Sequence, residues 1–192
     1  MSGTAYALDF APERGDRRSA VSRLGGEPVW LDEPQWPLSS RDAEPMTFVA
    51  QFHVPDGPVM AMAYLFMDME GAYTWQPDGG QNALILQPDG RIPSCVRTAP
   101  VVNGPLLRDA TGRSVCHEAR LVPGAPGEDS MQHVGGHPNW LQGDAAPEGW
   151  TFLLQLDSAQ LRDAVVNFGD LGVGYAFISP DRKEGRFLWQ SV

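Results

Sequence analysis

The chain has 192 residues, of which 42% are hydrophobic and 20% are charged, and its formal net charge is −10. This composition is typical of a globular domain rather than of a disordered segment, and the length suffices for a core without disulfide or metal support. The longest apolar stretch, residues 59–67, is far shorter than the about 20 residues that a membrane-spanning helix needs, so we expect no membrane association.

The negative charge is concentrated in one part of the sequence. Residues 27–90 contain ten acidic side chains and a single base, Arg41. Such a field repels phosphate backbones and attracts cations, so we expect no nucleic acid partner and a cationic protein partner. The alternative is that these acids only occupy solvated loops and promote solubility.

The start of the sequence and its cysteines indicate where the protein acts. Asp9, Glu13 and the charges of residues 14–18 interrupt any apolar segment of the kind that an export signal requires. Cys95 and Cys116 are too few for the disulfide framework of a secreted domain. We therefore expect a cytoplasmic protein with reduced thiols.

A segment near residue 25 recurs 110 residues later. Residues 25–31 are Gly-Gly-Glu-Pro-Val-Trp-Leu and residues 135–141 are Gly-Gly-His-Pro-Asn-Trp-Leu, with five of seven positions identical. Gly-Gly permits a tight bend, Pro fixes the direction of the chain, and Trp supplies a large apolar anchor. Each segment therefore predicts a turn that closes over a core.

Two further pairs of segments follow in the same order. Residues 48–54 match residues 152–158 in their Phe and Gln positions, and residues 63–66 match residues 174–177 in their Tyr and Phe positions. Matching order with loops of different length predicts an internal duplication.

We interpret residues 1–192 as one domain with two repeat units. The units span residues 22–90 and 132–192, and residues 91–131 connect them. The Pro- and Gly-rich stretch at 123–127 is the predicted linker within that connection. Both units are expected to share one core.

Alternating apolar residues predict strands in both units. The predicted inner face carries Phe48, Ala50, Phe52 and Val54 in the first unit and Phe152, Leu154 and Leu156 in the second. Glycine-containing turns between short apolar runs indicate hairpins and an antiparallel sheet. Residues 173–178 and 185–190 are the predicted closing strands.

One short helix is predicted over residues 159–166. Ser158 is its expected cap, Leu161 and Val165 form its expected buried side, and Gly169 follows its end. The predicted fold class is therefore α+β and mostly β, with internally duplicated antiparallel sheets that share one core and with few short helices.

Several short motifs from about residue 20 to the end carry a family resemblance. They are Ser22-Arg23-Leu24-Gly25-Gly26-x-Pro28, Trp36-Pro37, Pro45-x-x-Phe48-x-Ala50-Gln51, His133-x-Gly135-Gly136-x-Pro138-x-Trp140-Leu141-Gln142 and Gly169-Asp170-x-Gly172. In these motifs the chain resembles the YwqG-like family of bacterial proteins of unknown function, although Phe168 stands where the family pattern has Trp. The resemblance implies a β-rich, duplicated α+β fold without established catalytic residues. It also implies a cytosolic protein encoded near secreted toxins, and therefore an immunity role.

Seven side chains are candidates for a binding site. They are Trp36, Gln51, His53, Trp140, Gln142, Gln155 and Asp170. Gln51 and Gln155 hold equivalent strand positions, where a buried amide needs hydrogen-bond partners. They either line a ligand cleft or tie a neighbouring turn, and the second role is the commoner one for buried polar side chains.

The sequence contains neither a catalytic motif nor a metal-binding pattern that we recognise. Cys116 and His117 are adjacent and so point to opposite faces of a strand, and His133 and His137 complete no zinc-type spacing. We therefore expect no metal and no cofactor.

Three functional hypotheses follow. The leading one is a non-enzymatic cytosolic protein that docks a cationic partner, such as a toxin that it neutralises, through its acidic first unit. The alternative is a small-molecule or carbohydrate-binding module with a Trp- and Gln-lined cleft between the repeats. The third is a hydrolytic or thiol enzyme that uses His53 or Cys116, although no neighbour in the sequence marks either as activated.

Overall fold

The computed structural model describes residues 5–12, 18–123 and 131–192. The regular elements within these residues are twelve strands and one 3₁₀ turn, so the fold is mostly β. The strands are β1 (Tyr6–Pro12), β2 (Arg23–Gly25), β3 (Trp36–Leu38), β4 (Thr47–His53), β5 (Met62–Met67), β6 (Asn82–Gln87), β7 (Arg97–Ala99), β8 (Cys116–Pro123), β9 (His133–Val134), β10 (Thr151–Asp157), β11 (Val173–Ile178) and β12 (Gly185–Gln190). In the part of the chain that is described, no helix has the length and apolar character needed to cross a membrane.

The strands form two large sheets and one small sheet, and their pairing is antiparallel as predicted. The first sheet has the order β1-β8-β2-β4-β5-β6, the second has the order β12-β11-β10-β9, and β3 pairs with β7. The large sheets approach each other at both edges, because β6 packs beside β12, and Leu8 N of β1 donates to Gln132 O, just before β9, at 3.1 Å. The two sheets therefore nearly close on each other.

Three hydrophobic clusters hold the sheets and loops together. The inner core lies between the sheets and combines side chains of both, such as Phe52 and Leu65 with Leu154 and Phe187. The first outer cluster covers the other face of the first sheet and includes Trp36, Met46, Phe48, Tyr64 and Phe66. The second outer cluster covers the second sheet and includes Val173, Tyr175, Phe177 and Leu188, with Trp140, Trp150 and Phe152 packed against it.

Strands β4 and β10 each contain a β-bulge, which changes the side chains that face the inner core. The register shifts between Phe48 and Ala50 in β4, and between Phe152 and Leu154 in β10. The extra residue at each bulge reverses the alternation, so Phe48 and Phe152 belong to the outer clusters. The prediction that both lie on the inner face is wrong, whereas Ala50, Phe52, Val54, Leu154 and Leu156 do face the inner core.

The predicted helix over residues 159–166 is not formed. A single 3₁₀ turn spans Ser158–Gln160, its N-cap is Asp157 rather than Ser158, and Val165 is exposed. Arg162 adopts a φ of 57°, which ends helical geometry, and Val165 N donates to Arg108 O at 3.0 Å. Pairing with residues 108–109 therefore replaces the helix.

The predicted connecting segment, residues 91–131, contributes one strand to the first sheet and one to the small sheet. Its strand β8 lies between β1 and β2, and its strand β7 pairs with β3. Of the predicted linker at 123–127, residues 124–127 lie outside the described residues. The closing strands at 173–178 and 185–190 are confirmed as β11 and β12.

Candidate functional site

A groove of about 960 Å³ separates the start of β10 from β1 and the end of β4. One wall carries Tyr6 and Leu8 of β1, His53 of β4, and Leu121 of β8. The opposite wall consists of the loop that begins at Gly135 and the beginning of β10, and it presents Trp140, Trp150, Phe152 and Phe177. The groove is therefore apolar and aromatic on one side, with polar groups at its rim.

His53 and Trp140 are the two predicted site residues that line this groove. His53 is exposed at the end of β4, and its backbone N donates to Ser22 Oγ at 2.9 Å. Trp140 is half-buried, with its ring centroid 4.5 Å from that of Tyr175 and 6.0 Å from that of Phe177. Trp140 therefore lines the groove with a ring that packs against Tyr175 and Phe177.

Gln51 is fully buried beneath the loop that follows β2. Its Oε1 accepts from Val29 N at 2.9 Å, and its Nε2 donates to Val21 O at 2.8 Å. The side chain therefore ties both ends of the Gly25-Gly26 turn to β4, and both functional groups of the amide are used inside the fold.

Gln155 makes the same two contacts in the second sheet. Its Oε1 accepts from Asn139 N at 2.8 Å, and its Nε2 donates to Met131 O at 2.8 Å. Like Gln51, it is fully buried and does not belong to the groove lining.

Two tyrosines support the same loops from the neighbouring strands. Tyr64 Oη donates to Val29 O at 2.7 Å, and Tyr175 Oη donates to Asn139 O at 2.9 Å. Burial raises the pKa of Tyr175 to about 12 and raises that of Tyr64 as well. Both hydroxyls therefore keep their protons and remain donors.

The remaining predicted site residues lie away from the groove. Trp36 is fully buried in the first outer cluster, where its Nε1 donates to Met46 O at 2.8 Å. Gln142 is exposed, and its Nε2 donates to Ser191 O at 2.7 Å. Asp170 is exposed, and its carbonyl oxygen accepts from Val192 N at 3.2 Å. The structure thus distributes the seven candidates over several places.

The groove rim carries charges that the sequence analysis did not single out. Asp56 and Asp144 are exposed at the rim, and the guanidinium of Arg182 donates to Pro55 O. Trp150 was not singled out either. Its position could have been found, because Pro147-x-x-Trp150 in the second unit resembles Pro34-x-Trp36 in the first. Arg186 lies over the Trp150 ring, 4.6 Å from its centroid.

His117 and His133 each lie close to a polar partner. His117 Nε2 lies 2.8 Å from Asp163 Oδ1, and this hydrogen bond lowers the pKa of the Asp163 carboxyl. Burial lowers the pKa of His133, whose Nε2 lies 2.9 Å from His137 O. Neither cysteine forms a disulfide, and both are half-buried. No cluster of three or more His, Cys, Asp or Glu suited to a metal ion occurs in the described ranges.

Part of the chain matches a known family. Residues 95–187 match the model of a domain of unknown function, DUF1963. The DUF1963 match begins just before β7 and ends within β12, so it contains β7 to β11 and the groove wall formed by Trp140, Trp150 and Phe152. No curated protein and no solved structure matches the chain.

Proposed function

We propose that the chain is a non-enzymatic cytoplasmic binding protein that docks a cationic protein partner, such as a toxin that it neutralises. The observation that carries this proposal is the exposure of the acids in residues 27–90. Nine of the ten are exposed, and the tenth, Asp68, is buried. The single base of this stretch, Arg41, pairs with Asp68 at 2.8 Å and with the neighbouring Asp42 at 2.9 Å, so one positive charge is set against ten negative ones.

The resemblance to YwqG-like proteins supports the same proposal. That resemblance implies a cytosolic immunity protein, and the DUF1963 match, itself to a family of unknown function, adds no catalytic role. A neutralising protein needs a surface that is complementary in charge to its target rather than a reactive centre. The exposed acids supply such a surface.

We also propose that the two sheets derive from an internal duplication. Equivalent contacts support it: Gln51 and Gln155 bond the loops in the same way, as do Tyr64 and Tyr175. Both Gly-Gly turns have positive φ at each glycine, between 67° and 73°. The bulges of β4 and β10 fall at the same place after the leading Phe.

Co-purification from the native host tests the main proposal. At low salt we expect a basic protein to be retained. At 1 M salt we expect its release, because the Debye length falls to about 3 Å and the attraction between exposed charges is screened. The double variant E33Q/E44Q should weaken the complex about fivefold, since each exposed charge contributes a few tenths of a kcal/mol.

The matched control is the double variant E148Q/D170N, which removes the same charge at two exposed positions outside residues 27–90 and should retain the partner. Two results would count against the proposal: no protein retained at low salt, or equal weakening by both double variants.

A small-molecule or carbohydrate ligand in the groove is the second candidate. The presence of both Trp140 and Trp150 in the groove lining favours it, because ligand pockets are lined largely by apolar and aromatic side chains. A thermal-shift screen with mono- and oligosaccharides should then raise the melting temperature by mass action, and W140A should abolish the shift. If no sugar in the screen raises the melting temperature, the hypothesis of a carbohydrate ligand is wrong.

A further inference from the structure

The first sheet already binds an extended segment at the start of β4. Phe48 N donates to Pro105 O at 2.9 Å, and Leu107 N donates to Phe48 O at 3.1 Å, which forms a parallel bridge between Phe48 and Leu106. The segment 104–107 therefore continues the sheet beside Phe48, and Leu106 packs against the first outer cluster. Phe48 and Trp36 are fully buried as a result.

The second sheet has the same position without such a segment among the described residues. Phe152 is the second residue of β10 and lies just before its bulge, as Phe48 does in β4, and it pairs with Phe177 as Phe48 pairs with Phe66. Strand β9 pairs with β10 at Leu154 and Gln155, and Gly135 N, just after β9, donates to Leu153 O at 2.8 Å, one residue before the free position at Phe152. No backbone hydrogen bond from outside the sheets reaches Phe152 within residues 5–12, 18–123 and 131–192.

The groove lies at this position. It is lined by Trp150, Thr151, Phe152 and Leu153 on the β10 side and by Tyr6 of β1 on the other side. Trp150 and Phe152 are only half-buried, in contrast to the fully buried Trp36 and Phe48 of the first sheet. The second outer cluster thus presents an apolar wall where the first is covered by the protein's own chain.

From this comparison we infer that the groove accepts an extended peptide segment of a protein partner, which adds parallel to β10 beside Phe152. The inference rests on the proposed protein-binding function and specifies where and how a partner docks. The segment's backbone takes the place that residues 105–107 hold beside Phe48, and an aliphatic side chain at its centre packs on Trp150 and Phe152. Strand addition of this kind gains its affinity from main-chain hydrogen bonds and its selectivity from side-chain pockets.

The rim charges define the flanks of that segment. Asp56 and Asp144 are exposed on the two sides of the groove, whereas the guanidinium of Arg182 is bonded to Pro55 O. Carboxylates at a rim attract basic residues and select against acidic ones. The fitting segment therefore has Leu, Ile or Val at its centre and Lys or Arg next to it, which agrees with a cationic partner.

The protein's own segment supplies a probe. The peptide acetyl-Asn-Gly-Pro-Leu-Leu-Arg-amide has the sequence of residues 103–108, with two aliphatic residues followed by a base. Titrated into the ¹⁵N-labelled full chain, it should shift the amide of Phe152 and the indole signals of Trp140 and Trp150. A peptide with Asp in place of the first Leu should leave these signals unmoved.

Matched variants locate the site. W150A should weaken binding of the probe peptide at least tenfold, as loss of an aromatic anchor does, whereas W75A removes an exposed Trp outside the groove lining and should have no effect. D56N/D144N should weaken it about fivefold, and E27Q/E44Q, with the same change in charge, should not. Melting temperatures of all four variants establish that they are folded.

The outcomes separate this inference from the proposed function. Peptide binding that W150A and D56N/D144N weaken supports the groove as a strand-accepting site. No shift at Phe152, or equal binding by W150A and W75A, overturns it. If in that case E33Q/E44Q still weakens the complex with a basic host protein, the proposed function stands and docking occurs on the acidic surface instead. If the complex is also absent, both fail.

Discussion

Gln51 and Gln155 connect the two large sheets to the loops that cover them. Each amide is fully buried and bonds one backbone donor and one backbone acceptor of a loop. The sequence predicted that such amides must find partners, because an unsatisfied buried amide is costly. It did not identify the partners, since Val21 and Met131 are separated from these glutamines by 30 and 24 residues.

Replacing Gln51 with Leu should lower the free energy of unfolding by about 3 kcal/mol, because Val29 N and Val21 O lose their partner without water to replace it. Urea denaturation followed by circular dichroism measures this. The exposed Gln142 is the control, and Q142A should change stability by about 0.5 kcal/mol or less. Equal stability of Q51L and the unaltered chain would show that the amide is free for a ligand role.

Asp68 provides a pH-dependent contribution to stability. Burial opposes its ionisation, but hydrogen bonds from Arg41 and Ser39 outweigh burial and hold the pKa of this carboxyl below its ordinary value. A carboxyl with a lowered pKa in the folded state stabilises the fold above its ordinary pKa of about 3.9, and this stabilisation is lost as the pH falls through the folded pKa.

D68N should therefore be less stable than the unaltered chain by about 2 kcal/mol at pH 7, and the difference should shrink as the pH falls below about 4. Thermal unfolding of both proteins between pH 3 and pH 7 checks this, since the comparison cancels the titration of the other acids. A difference that stays constant down to pH 3 would exclude the ionised Asp68–Arg41 pair as its source.

At the scale of elements, strand position was easier to predict than side-chain direction. The bounds of β11 and β12 follow from apolar runs that the structure confirms. The bulges after Phe48 and Phe152 place both rings on the outer face of their sheets rather than on the inner face. No residue type in these strands indicates that a bulge is present. The helix after Ser158 failed because residues 164–165 bond to residues 108–109, a tertiary contact that local propensity does not contain.

The β11–β12 pair depends on a missing side chain at Gly174. A Cβ built there would lie 2.4 Å from Cζ of Phe187 and 3.2 Å from Cε2 of Phe168, inside the inner core. G174A should therefore cost about 1–3 kcal/mol through overpacking. G143A is the matched control, because a Cβ on Gly143 meets no atom within 4 Å. Thermal denaturation compares them, and similar melting temperatures would mean that the two rings move aside easily.

At the scale of the whole molecule, the shared core explains why the candidate groove was hard to predict. Two similar units and their order can be recognised in the sequence. The groove, however, lies between β1, the end of β4 and the start of β10, which are far apart in the chain. His53 and Trp140 were singled out for other reasons and meet there only through the near closure of the sheets. The rim acids Asp56 and Asp144 gave no local signal, because exposed acids occur in many loops of this chain.

The same shared core predicts that the second unit cannot fold alone. The inner faces of β10, β11 and β12 carry Leu154, Leu156, Ile178 and Phe187, which pack against Phe52, Leu65 and Leu84 of the first sheet. In a fragment of residues 131–192 these side chains would face water, and a lone sheet with one bare apolar face has little free energy to offset its conformational entropy. The fragment should give a non-cooperative urea transition, whereas the full chain should unfold in one step that coincides by tryptophan fluorescence and circular dichroism. A cooperative transition of the fragment would show instead that each sheet, with its outer cluster, is an autonomous unit and that the contact between them is only an interface.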